Sequence, residues 1–358
     1  MRVLNYLELA GPLERSGIAT AARQQRQALA ERGVDVVTSP WGEGGGLSKA
    51  AAAATGRVVG DCDVAHCHLF GPASVLVTRH ARRLDVPLVL HAHTLRENTT
   101  GSWRGAELVA GPLERYLRWF YSQADLVIAP SEWAVERLRD YPVDVPTTAM
   151  TNGVDVDALA GFEDLREPYR ERYGLGDDDL VVFAVGNVFE RKGLSTFCRL
   201  AQATDYEFVW FGPYDRGPHA SRAVRRWTGN PPDNVRFTGW VDDVRGAYAA
   251  GDVYLFPTRS ETQGLTALEA MACGKPVVLR DLPVFREYFE DEHDCLMCED
   301  IDGFRAALDR LARDPDLRRR LGENGRETAE AHSLARVGER LEAVYAGLVG
   351  GGPDTSEP

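Results

Sequence analysis

Between Pro257 and Val278 the chain reads PTRSETQGLTALEAMACGKPVV, and seven residues separate its two glutamates, Glu261 and Glu269. Gly264 precedes a helix-forming run at 265–272. This places Glu261 in the loop before a helix and Glu269 about one turn inside it. A loop of small residues opening a helix offers free backbone N–H groups, here those of Gly264 and Leu265, and the positive end of the helix dipole. That environment suits a diphosphate. Carboxylates cannot share the phosphate, so the natural partners of the two glutamates are hydroxyls, of a sugar and of a ribose. An ordinary Glu-rich first helical turn fits the same spacing, and spacing alone leaves both readings open.

Other groupings carry less. Cys295 and Cys298 have metal-ligand spacing, but no second pair and no histidine at zinc spacing follows. The six cysteines (with Cys62, Cys67, Cys198 and Cys273) are expected to be reduced and partly buried. The pairs Asp61/Asp63 and Asp155/Asp157 and the acidic run 177–179 lie at loop edges of an acid-rich chain and read as solvated. We therefore expect no metal and no cofactor. There is no G-x-S-x-G elbow and no phosphate-binding G-x-x-x-x-G-K-[ST] loop.

The elements that must hold the glutamates follow an alternating pattern. Residues 2–7, 34–38, 64–68, 88–91 and 126–129 read as strands, with a helix at 18–31 and helical stretches between the later ones. After Thr151-Asn152-Gly153 the pattern resets, with strands at 180–185, 208–211, 235–237, 253–256 and 276–279 and a helix from Leu194. Short strands separated by helices predict parallel sheets covered on both faces. Ligands of such sheets bind at the carboxyl ends of the strands. The expected organisation is a domain over 1–156, a second over 157–330, a helix at 331–349 packing back on the first, and a disordered tail at 350–358.

The Glu261–Glu269 segment resembles the E-x7-E signature of the retaining glycosyltransferases of family 4, which have the GT-B fold. Other segments fall in the family's order: Ser16-Gly17-Ile18 after the first strand, the strand-end pair His91 and His93, PSEW at 130–133, TNGVD at 151–155, VGNVFERKG at 185–193 and NVRFTGWV at 234–241. The wording of SGIATAARQQRQAL, HAHT and the glutamate segment is nearest to bacterial synthases that glycosylate diacylglycerol. The resemblance implies two Rossmann-like, doubly wound domains facing a cleft that closes on the donor, with a C-terminal helical segment.

It also implies roles. Glu261 contacts the transferred sugar and stabilises departing charge, Glu269 binds the ribose, and Arg191 and Lys192 hold the diphosphate. Gly17 lets the backbone approach the diphosphate, Val241 lies where backbone groups read the base, and His93 lines the sugar or acceptor side. Asn187 stands where many members have a basic residue, which shifts charge neutralisation onto Arg191. The implied reaction moves a hexose, glucose from UDP-glucose in the first instance, to a hydroxyl with retention. No second carboxylate can be placed beneath the anomeric carbon, so a same-face route is expected, driven by positioning and charge stabilisation. The alternatives are transfer to a polysaccharide or protein-linked glycan, a nucleotide-sugar epimerase, and a non-catalytic protein of the same fold.

Composition narrows the partners. With 358 residues the chain suits two domains, and its net charge of -13 opposes nucleic-acid binding and polybasic attachment to lipid. Basic residues are almost all arginine, the lysines being Lys49, Lys192 and Lys275. That balance resembles proteins of high-salt cytoplasm, and GC-rich coding explains part of it. No apolar run is long enough to span a bilayer, and the start lacks the order of a signal peptide, so a cytoplasmic protein is expected. A lipid acceptor then needs peripheral contact. Residues 103–121, with Trp119 and Phe120 among interleaved arginines and Gly111-Pro112 as a break, are the segment for it, either at a bilayer interface or as a core helix.

Overall fold

The computed structural model describes residues 1–11, 16–42, 46–93, 95, 106–140, 143–217 and 220–351. They form two compact units, one of the described residues within 1–95, 111–153 and 333–351 and the other of those within 106–110 and 154–332. Each unit is built on a six-stranded sheet whose strand pairs are parallel.

The first unit contains β1 (Arg2–Tyr6), β2 (Asp35–Val37), β3 (Val64–Cys67), β4 (Leu88–His91), β5 (Leu126–Ala129) and β6 (Thr147–Ala149), in the order β2-β1-β3-β4-β5-β6. Every residue of β3, β4 and β5 is buried. Both sheet faces are therefore covered, which explains apolar runs without polar alternation. One face packs on Leu29, Val337, Leu341 and Tyr345. The last three belong to helix Leu334–Val349, which rests on helix Gly17–Glu31. The two approach closely at Gly338, where a Cβ would stand 3.0 Å from that of Ala28, and the Arg32–Glu342 ion pair (2.6 Å) ties their edge.

The second unit contains β7 (Val181–Val185), β8 (Glu207–Phe211), β9 (Val235–Gly239), β10 (Val253–Phe256), β11 (Val277–Arg280) and β12 (Leu296–Cys298), in the order β12-β11-β10-β7-β8-β9. From β7 the chain runs outward through β8 to β9, then crosses to β10 on the other side of β7. This reversal opens a crevice between the loops that follow β7 and β10. In the first unit the corresponding reversal lies between β1 and β3.

Three details depart from the sequence reading. The strands β6 and β12 are three residues each and were not anticipated. Cys298 accordingly ends a buried strand, and all six cysteines are free and buried. Pro112 does not break its segment: helix Ala106–Tyr121 runs through it. An interior proline costs roughly 3 kcal/mol, and the burial of Leu117, Phe120 and Tyr121 in the sheet's core offsets that cost. Residues 103–105 of that segment and 352–358 of the tail lie outside the described residues.

Candidate functional site

In the second unit the loop after β7 carries Arg191 and Lys192, and the loop after β10 carries Thr258 and Glu261. Gly193 brings the loops together. At φ +86° it adopts a backbone conformation that glycine tolerates best, and a Cβ there would lie 2.2 Å from the carbonyl oxygen of Pro257. Main-chain bonding follows, as Arg259 N–H donates to the Arg191 carbonyl at 2.8 Å.

The result is a convergence on one carboxylate oxygen. Lys192 Nζ lies 2.7 Å from Glu261 Oε1, Arg191 Nη1 donates to the same oxygen at 3.2 Å, and Thr258 Oγ1 donates to it at 3.1 Å. Lys192 also sits 4.9 Å from the centre of the Phe256 ring, which favours its charge. Glu261 is 8% exposed. Burial acts to raise its carboxyl, but Lys192 and Arg191 outweigh burial and hold the group below its ordinary value. Glu261 is thus an ionised, nearly buried carboxylate facing two cations.

Gly264 caps helix Leu265–Ala272 in the left-handed region (φ 119°), with Leu265 as the first helical residue. The first-turn N–H groups of this helix have no intrahelical acceptor, by the geometry of any helix start. Glu269 lies one turn in, and its Oε2 accepts from Tyr248 Oη at 2.5 Å. Burial raises its carboxyl to about 7, against the opposing effect of the tyrosine bond. The two glutamates therefore have opposite electrostatics, although their spacing treats them alike. Val241 lies beyond β9, at the sheet edge, next to Trp240, which is 43% exposed.

The remaining expected residues belong to the first unit. Gly17 opens helix Gly17–Glu31, whose N-cap, Ser16, accepts from Ala19 N–H at 3.2 Å. Among the described residues, a Cβ on Gly17 would meet nothing within 4 Å. His93 stands just past β4, at the carboxyl end of the sheet. It belongs to a buried group of stacked imidazoles, His66, His68, His91 and His93, in which the rings of His91 and His93 are 3.9 Å apart.

His66, His68 and His91 bring ring nitrogens within 4.8 Å of one another. Both nitrogens of His68 are already engaged, by His93 and by Asn5. That leaves two imidazoles at most for a cation.

Sequence reasoning missed Thr258, Tyr248 and Glu8. Glu8 follows β1 and accepts from Ala73 N–H, Ser74 N–H and Ser74 Oγ at the start of helix Pro72–Leu84. Tyr248 and Glu8 act through partners distant in sequence, and Thr258, three residues before Glu261, has no signature of its own. In helix Ala106–Tyr121, Trp119 is 48% exposed beside exposed Arg115 and Arg118, whereas Phe120 is 1% exposed in the core. Of the two aromatic residues expected to meet lipid, only Trp119 faces outward. No described helix is long and apolar enough to cross a membrane.

Residues 166–328 match the family described as glycosyl transferases group 1, and residues 18–158 match Glycosyltransferase Family 4. The chain is 26% identical over 353 residues to the processive diacylglycerol alpha-glucosyltransferase of Acholeplasma laidlawii, covering 98% of this chain and 99% of that one. It is 30% identical over 304 residues to the phosphatidyl-myo-inositol mannosyltransferase of Mycobacterium leprae (strain TN), covering 80% and 74% respectively. Among solved structures, Anabaena HepE, crystallised in complex with UDP and glucose, superposes with a TM-score of 0.77 at 17% identity, covering 97% of this chain and 99% of that one.

Proposed function

The chain belongs to glycosyltransferase family 4 and has the GT-B fold, and from that premise we propose that it moves a hexose from a nucleotide-sugar, UDP-glucose in the first instance, to a lipid hydroxyl with retention of configuration. The observation that carries this reading is the convergence of Arg191, Lys192 and Thr258 on Oε1 of Glu261, at the switch point of the second sheet. Two cations beside a helix N-terminus form a site for a diphosphate leaving group, and they spread its charge without a metal. All three contacts fall on Oε1. Among the described residues no donor reaches Oε2, which is the oxygen offered to a sugar hydroxyl.

In this account the donor's diphosphate takes Arg191 and Lys192 as partners in place of Glu261. The ribose hydroxyls take Glu269, and the base lies by Val241. The leaving phosphate oxygen accepts the acceptor's proton on the same face as attack, so the barrier falls through alignment and charge stabilisation. The lipid acceptor is supported by relatives named for diacylglycerol and phosphatidylinositol glycosylation. The exposed Trp119 with Arg115 and Arg118 supplies a face that can rest on a membrane from the cytoplasmic side. The purified protein, given a panel of nucleotide-sugars and extracted membrane lipids, should yield a hexosylated lipid by mass spectrometry. Transfer only to soluble glycans would overturn the lipid acceptor, and product without any acceptor would favour an epimerase.

A further inference from the structure

His68 lies between two partners in the buried core of the first unit. Its Nε2 is 3.1 Å from Oδ1 of Asn5, a residue of β1, and its Nδ1 is 3.0 Å from Nε2 of His93. An amide oxygen can only accept, so Nε2 of His68 carries the hydrogen. Burial pushes the His68 imidazole well below its ordinary value and that of His93 to about 3, so both rings are neutral. A neutral ring has one N–H, which makes Nδ1 of His68 an acceptor. His93 must then donate through Nε2, and its Nδ1 holds a lone pair.

The other contacts hold this arrangement in place. The His93 ring lies against His91 at 6° between planes, and the backbone N–H of His93 donates to the His91 carbonyl at 3.1 Å. Asn5 and His68 are 0% and 1% exposed, so water cannot easily replace either partner. His93, at 9%, is the member nearest the surface. Among the described residues nothing hydrogen-bonds its Nδ1.

We propose that Asn5 and His68 are positioning residues that fix the tautomer of His93, so that its Nδ1 presents a hydrogen-bond acceptor to a hydroxyl of the sugar or acceptor. The direction of one amide in β1 is thereby read out two imidazoles away, at the carboxyl end of the sheet. The link to substrate rests on the glycosyltransferase reading, whereas the tautomer does not.

The test is a long-range ¹H–¹⁵N spectrum of the full chain labelled with ¹⁵N-histidine, with signals assigned through His68→Gln and His93→Gln. Both His68 and His93 should appear as the Nε2–H form in the wild type. A His93 signal in the Nδ1–H form, as the opposite orientation of Asn5 would give, overturns the proposal. In Asn5→Leu, which removes the acceptor at similar volume, both signals should move toward a tautomer mixture. Its turnover should fall about tenfold, the worth of one well-made hydrogen bond, with UDP affinity unchanged. Altered tautomers with unaltered turnover would overturn the positioning role. A wild-type protein that shows the tautomers but transfers no sugar would refute the glycosyltransferase reading alone. If Asn5→Leu does not fold, the wild-type spectrum still decides.

Discussion

At the scale of single residues, Glu261 and Glu269 are two carboxylates that their surroundings drive apart. Glu261→Gln removes the only negative group that Arg191 and Lys192 share in the described site. Without nucleotide the two half-buried cations then repel, and the protein should lose about 2 kcal/mol of stability, less than the roughly 3–5 kcal/mol of a fully buried charge left unpaired. UDP should bind Glu261→Gln as tightly as the wild type or more so, because the carboxylate no longer competes for the cations. Turnover should fall about a hundredfold or more, the scale of losing one charge-stabilising contact. Melting curves with and without UDP, read beside kcat, separate the effects, and a large loss of UDP affinity would contradict the assignment.

Glu269 has the opposite sign. Its folded carboxyl titrates near 7, above the ordinary 4.5, so between those values the folded chain keeps a proton that the unfolded chain releases. Stability from this group is therefore greatest below 4.5, declines as pH rises toward 7, and is flat above, by up to about 3 kcal/mol in all. Glu269→Gln should abolish that decline in a series of melts. UDP affinity should rise with pH through 7 in the wild type, as the carboxylate forms and accepts ribose hydroxyls, and be flat in Glu269→Gln. The spacing of these glutamates was legible because helix periodicity fixes it. Their opposite titration was not, since the burial of Glu269 and the approach of Lys192 and Arg191 to Glu261 arise only in the tertiary fold.

At the scale of elements, the site depends on two βα loops meeting closely. Gly193→Ala should destabilise the second unit by about 3 kcal/mol or more, because its Cβ would combine left-handed strain with collision against the Pro257 carbonyl. Chemical denaturation measures this, and a loss below 1 kcal/mol (on the order of an ordinary surface change) would show that the loops do not need the contact. Most strands were legible because burial on both faces leaves uninterrupted apolar runs, as in VVFAV of β7. The edge strands β6 and β12 were not, as three residues carry too little pattern. The sequence reading placed a helix break at Pro112 for a sound local reason, which the packing of Leu117, Phe120 and Tyr121 overrides.

At the scale of the whole molecule, the lipid acceptor proposed for a chain of net charge -13 requires that it reach an anionic surface by local contact. In the proposed reading Trp119 supplies the apolar part of that contact and Arg115 and Arg118 the basic part. Trp119→Ser should weaken liposome binding severalfold while leaving UDP binding and melting temperature unchanged. Phe120→Ser should instead unfold the first unit, because Phe120 is core. At 1 M salt, where charges are screened beyond roughly 3 Å, wild-type binding to liposomes should persist, as apolar insertion does not depend on screening. The measurement that reaches the central claim most directly is the anomeric configuration of the product. The protein is incubated with UDP-glucose, diacylglycerol vesicles and EDTA, and the glycolipid is read by ¹H NMR. The account predicts an α-linked hexose formed at an undiminished rate under chelation. A β-linked product, or activity lost to EDTA and restored by Mg²⁺ or Mn²⁺, would contradict it.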